Sequence, residues 1–182
     1  MPRAGTRPAP IRVVVFLLLI IASFCHTAEA YQKMVFGVIE KVTILPEKVK
    51  ISAKLDTGAK TSSLGVTDMK IVTENNHKWV YFAVNTKKQG KVFFKRKLEG
   101  YTKIKIRQSE QENNVSGKDY VSRPVILMEV RLGDRQALVL VNLANRQNFL
   151  YTFLLGRDAI TQLGGVIDPS QYFTQKTTLR RD

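Results

Sequence analysis

The chain is 182 residues long, carries one cysteine and has a formal net charge of +14. A single cysteine excludes a disulfide scaffold, and an apolar fraction of 44% is too high for a disordered polyelectrolyte. The excess of Lys and Arg suits contact with anionic polymers or a membrane surface, and equally a solvated basic face. No RNA-binding or helix-turn-helix signature accompanies it, so nucleic acid is not expected as a partner.

Residues 1–30 read as a secretory signal peptide. Arg3, Arg7 and Arg12 form a basic start, residues 13–24 are apolar, and Ala28-Glu29-Ala30 is a small-x-small cleavage site. The apolar run is short for a spanning helix, although an uncleaved anchor is the alternative. Phe24 before Cys25 fits a lipoprotein signal poorly. Export and cleavage near Ala30 would leave residues 31–182 as one domain without cysteine, periplasmic or secreted.

The rest of the chain is read as mainly β. Residues 35–45 and 48–55 are the first strands, with Pro46-Glu47 as the turn between them. In the second, Val49, Ile51, Ala53 and Leu55 alternate with Lys50, Ser52 and Lys54, as a half-buried strand requires. Further strands are expected over 69–73, 79–84, 92–98, 102–107, 125–132, 136–143 and 149–155. Turns are expected at Asn75-Asn76, Gln89-Gly90, Glu99-Gly100, Gly133-Asp134 and Asn145-Arg146. Residues 108–120 are polar and read as a loop. Residues 157–163 form the one expected helix, ended by Gly164-Gly165, with a short strand at Val166-Ile167 and a polar tail after Phe173 that is expected to be frayed and disordered. Short strands at this spacing suggest a closed or nearly closed β-barrel.

Within this pattern Asp56-Thr57-Gly58 places a carboxylate in a tight turn at the end of a buried strand. Leu154-Leu155-Gly156-Arg157-Asp158 comes about a hundred residues later. The pair, in this order, resembles the retropepsin-like aspartic peptidases. Asp56-Thr57-Gly58-Ala59-Lys60-Thr61-Ser62-Ser63-Leu64, Arg123-Pro124-Val125, the segment from Leu143 to Arg146, and Val166-Ile167-Asp168-Pro169 narrow the resemblance to one bacterial branch. That branch is often labelled "ATP-dependent zinc protease" and is associated with ATP-grasp ligases that add glutamate to ribosomal protein. An exported chain would not meet such a cytoplasmic partner, so the partnership is not carried over.

The resemblance implies a closed acid-protease barrel and an aspartic endopeptidase. Peptide hydrolysis by this route uses two carboxylates sharing one proton, one as base on water and one as donor to the carbonyl oxygen. The triplet occurs once, so the second Asp56 must come from a second copy, as a symmetric homodimer. Thr57 would brace the paired loops across the two-fold axis. Gly58 would donate its N–H to the carboxylate, Ala59 completes the loop, Gly156 lets the second loop pass close, Arg157 would tie the helix start to the loop region, and Asp158 follows it at the helix start. A flap is expected between Trp79 and Tyr101, its tip at residues 87–91.

No metal or cofactor is expected. Zinc sites need three or four His, Cys or carboxylate ligands, and after residue 30 the chain holds one His, His77, which reads as a turn residue. No Gly-rich phosphate loop supports ATP binding. Lys60 stands where the viral enzymes carry an acidic residue. It would repel Arg157 unless Asp158 intervenes, and with Thr61 and Ser62 it forms a donor cluster suited to a substrate carboxylate or simply to water. Lys60 also leaves open an inactive peptide-binding or regulatory module on the same fold, and the basic strands leave open an envelope protein that binds anionic polymer.

Overall fold

A computed structural model describes residues 32–105, 120–145 and 149–175. The expected signal peptide lies outside these residues, as does all but the last residue of the expected loop at 108–120. In chain order the elements are β1 (Met34–Leu45), β2 (Val49–Asp56), β3 (Ser62–Gly65), β4 (Thr67–Glu74), β5 (His77–Thr86) and β6 (Gly90–Lys105). They continue with β7 (Tyr120–Leu132), β8 (Arg135–Ala144), β9 (Phe153–Gly156), the helix α1 (Arg157–Gln162) and β10 (Gly165–Tyr172).

Six strands close a barrel in the order β1-β2-β9-β3-β8-β7, with β7 returning to pair antiparallel with β1. Closure removes the exposed edges that an open sheet would offer. The alternation seen in the sequence is real: β2 buries Val49, Ile51, Ala53 and Leu55, and β7 buries Ile126, Met128, Val130 and Leu132. These side chains fill the barrel with Phe36, Phe153 and Leu155.

The other strands extend from this barrel. β4 and β5 form a hairpin whose turn residues Asn75 and Asn76 both have positive φ, which Asn tolerates better than most residues. β6 is one strand rather than the two expected. Its first half pairs with β5 and its second half with β7, and the register shift between Leu98 and Gly100 takes the place of the expected turn. Phe82 and Phe94 stack with ring centroids 5.2 Å apart and join the barrel core. Arg96 grips both carboxylate oxygens of Glu47 at 2.8 and 2.7 Å and the Leu45 carbonyl at 3.0 Å, fixing β6 to the β1–β2 turn.

β10 runs parallel to β1, and Pro169 is accommodated because this strand lies at the sheet's edge. Glu40 on β1, fully buried, anchors the residues beyond β10. It accepts hydrogen bonds from the N–H groups of Gly37 (2.7 Å), Thr174 (2.9 Å) and Gln175 (3.3 Å) and from the Thr174 hydroxyl (2.6 Å). The segment after Phe173, expected to be a loose tail, is thus fastened as far as Gln175.

Glu40→Ala leaves three N–H donors without their acceptor and is expected to cost about 3 kcal/mol in urea unfolding, with Glu40→Gln costing less. On the hairpin, the Glu74 carboxyl is held below its ordinary 4.5, first by the Lys95 ammonium and then by the Tyr81 hydroxyl. A lowered carboxyl pKa contributes stability above the unfolded value and loses it as pH falls through the folded value. The difference in thermal stability between wild type and Glu74→Gln is therefore expected to hold above pH 4.5 and to shrink below it.

Candidate active site

Asp56 is the last residue of β2, half-buried, and its neighbour across the sheet is Gly156, the last residue of β9. β9 runs parallel to β2 and antiparallel to β3, lying between the two. Strands that are consecutive in sequence are therefore held apart by a strand from much later in the chain. The connection at residues 57–61 must pass over the end of β9 to reach β3.

That crossing explains the glycine. A Cβ on Gly156 would come within 2.7 Å of the Thr61 carbonyl carbon and oxygen and 2.8 Å of the Lys60 carbonyl oxygen. Real Cβ atoms do not approach backbone so closely, so only glycine fits beneath the loop. Gly58 donates its N–H to Asp56 Oδ1 at 3.0 Å, and a Cβ there would stand 3.2 Å from the same oxygen. The Ala59 N–H returns to the Asp56 carbonyl at 3.3 Å, closing the turn.

α1 begins directly after Gly156 and has no side-chain cap. Helix starts leave N–H groups without partners inside the helix. Here the loop supplies them: the Arg157 N–H donates to the Ala59 carbonyl at 2.9 Å, and the Asp158 N–H to the Lys60 carbonyl at 3.2 Å. The link between helix and loop is made by backbone, through the Arg157 and Asp158 N–H groups. Ala159, Ile160 and Leu163 bury the other side of the helix start and its end.

Below the loop lies a buried polar chain. Ser62 is 1% exposed; its Oγ accepts the Gly156 N–H at 3.2 Å, and its carbonyl accepts the Asn142 side-chain amide at 2.6 Å. Asn142 Oδ1 in turn faces an Arg123 guanidinium nitrogen at 3.5 Å. The sequence groups Ser62 with Lys60 and Thr61 as a substrate-facing donor. Its burial makes it an internal brace instead, because β3 is covered by β9 on one side and β8 on the other. Asn142 and its contact to Arg123 escape a reading by motif. The visible signal is a polar residue inside the apolar run of β8.

Thr57, Lys60, Arg157 and Asp158 are exposed, and no ion pair joins Lys60, Arg157 and Asp158 among the described residues. His77 stands at the start of β5 with Nδ1 against the Asn75 carbonyl at 2.8 Å. Among the described residues no group of three or more His, Cys, Asp and Glu could hold a metal ion.

The expected flap tip, residues 87–91, spans the turn between β5 and β6. The turn after β5 exists, but Lys87 and Lys88 share a depression with Lys50 and Ser52, near the start of β2, while Asp56 ends it. The second half of β6 pairs with residues 120–126 of β7, and Val125 of that ribbon lies opposite Asn142.

The family described as RimB-like, retropepsin-like aspartic endopeptidase RimB, matches residues 35–178. A Legionella pneumophila protein of unknown function (DUF785) superposes with a TM-score of 0.66 at 36% sequence identity, over 80% of this chain and all of that one. Probable alpha-L-glutamate ligases of Shewanella pealeana and Shewanella halifaxensis are 30% and 28% identical over 124 and 123 residues. Each match spans 68% of this chain and a quarter (25%) of the ligase.

Gly156→Ala forces the loop off the strand end and is expected to destabilise the protein by roughly 2 kcal/mol in denaturant unfolding. Ser62→Ala leaves the Gly156 N–H unpaired and is expected to cost about 1–3 kcal/mol. Unchanged midpoints for both would contradict this packing.

Proposed function

The chain belongs to the RimB-like family of retropepsin-like aspartic endopeptidases, and from that membership we propose that it hydrolyses peptide bonds with Asp56 as its catalytic carboxylate. The observation that carries the reading is the turn itself. The carboxylate ends a buried strand, accepts the Gly58 N–H at 3.0 Å and is backed by a glycine on which no side chain fits. A turn with no task beyond reversing the chain needs neither the threaded strand nor the capped helix.

The chemistry requires a second carboxylate at close range. Two Asp56 groups facing each other across a two-fold axis would share a proton, since two like charges that close cannot both ionise. One then takes a proton from the attacking water while the other protonates the carbonyl oxygen. We therefore extend the proposal to a homodimer, with Thr57 bracing the two loops and the β6–β7 ribbons arching over the substrate. Export by residues 1–30 belongs to the same proposal, with the domain occupying residues 31–182. No metal or cofactor enters these steps.

The relatives named as ligases of L-glutamate suggest the substrate's chemistry. Together with a net charge of +14, they favour polypeptide rich in glutamate. Lys60 keeps a second reading in view, in which the same groove holds a peptide without cutting it.

Native mass measurement and digestion of a peptide library by wild type and Asp56→Asn separate these readings. The expected result is a dimer that cleaves glutamate-rich peptides, with turnover abolished in the mutant. A strictly monomeric wild type rules out the shared pair. Peptide binding without cleavage by wild type establishes the binding module instead.

A further inference from the structure

A second basic feature lies away from Asp56. An open depression of about 630 Å³ has Lys41 and Lys50 on its β1–β2 side and Lys87 and Lys88 on the turn after β5, and no carboxylate lines it. Lys41 donates to Ser52 Oγ at 2.6 Å, which holds one ammonium in place, and Tyr151 adds an amphipathic wall. The contrast with the neighbouring ribbon is informative. Lys91, Lys95 and Arg96 each pair with a carboxylate, namely Asp68, Glu74 and Glu47. Among the described residues Lys50, Lys87 and Lys88 enter no ion pair. Three cations of β6 are neutralised, whereas the depression gathers four lysines with no carboxylate among its lining residues.

We propose that this four-lysine depression is an exosite that holds the acidic stretch of the polypeptide substrate while Asp56 acts on a bond some residues away. The occupant is set by charge complementarity: four ammonium groups, one of them held by Ser52, with hydroxyls between them, match several carboxylates on one flexible chain. Position supports it as well. Lys50 and Asp56 lie on one strand, six residues apart, a span of roughly 20 Å at about 3.3 Å per residue. An extended substrate running along this face bridges the two in about six residues. The inference rests on the peptidase reading for the second half of its statement only, because binding at the depression needs no turnover.

The test uses the full chain. Binding of a fluorescent octaglutamate peptide is measured by anisotropy in an Asp56→Asn background, with Lys50→Gln/Lys87→Gln/Lys88→Gln added in one protein. A second protein carries Lys33→Gln/Lys78→Gln/Lys97→Gln, which removes the same charge from positions outside the depression. The depression variant is expected to lose roughly tenfold or more in affinity, from three weak surface pairings acting together. The control is expected to lose little, and wild-type binding is expected to weaken as salt rises. Equal losses in both variants, or no binding by the Asp56→Asn parent, overturn the exosite. In wild-type enzyme, the triple substitution is expected to raise KM for a peptide whose glutamate run lies about six residues from the cut, with kcat kept. Cleavage with an unchanged KM overturns the exosite and leaves the peptidase reading standing. Lysine-dependent binding without cleavage by wild type does the reverse.

Discussion

Everything at the site depends on one steric fact: the loop after Asp56 crosses directly over the end of β9. The crossing leaves less than 3 Å for any side chain at Gly156. It also brings the Ala59 and Lys60 carbonyls onto the first N–H groups of α1. Loop, strand end and helix start therefore satisfy one another's backbone groups, with Ser62 taking the remaining N–H of Gly156. The carboxylate inherits its position from this mutual closure. Surface ion pairs in water, usually worth about 1 kcal/mol or less, could not hold it as firmly.

The two ends of β2 are built by different physics. At the Asp56 end, order comes from backbone hydrogen bonds and from a buried amide and hydroxyl, all directional and short in reach. At the Val49 end it comes from charge and long side chains: Arg96 on Glu47, Lys41 on Ser52, and lysines around an open depression. The first arrangement suits a group that must be presented in one geometry. The second suits adaptable contact with a flexible anionic chain, where long side chains can track the partner.

Much of this was legible in the sequence. Strict alternation in residues 48–55 identified β2 and its buried face, and the ordered pair of loop motifs identified the barrel type. The features that stayed hidden depended on contacts between distant segments. β3 is only Ser62–Gly65, and its polar start reads as loop. It is a strand because β8 and β9 flank it, and its serines are buried for the same reason. Gly100 looks like a turn residue, yet β6 runs through it because β5 and β7 take over its pairing in succession. Glu40 sits in an apolar strand as an apparent exception, and its role needs the Thr174 and Gln175 amides, which only the folded chain brings to it.

The threading of β9 between β2 and β3 also bears on how the site is assembled. Ser62 and Gly156 are 94 residues apart in sequence but hydrogen-bonded in the fold. Pairings across such separations carry a loop-closure penalty and slow the search for the native state. The early strands can gather locally, hairpin by hairpin, without ever shaping the turn that holds Asp56. The contacts that fasten that turn to β9 and the helix start exist only once residues 153–158 are in the gap. A partly folded molecule therefore carries the aspartate but not the site, and proteolytic competence, on the proposed reading, is withheld until folding is nearly complete.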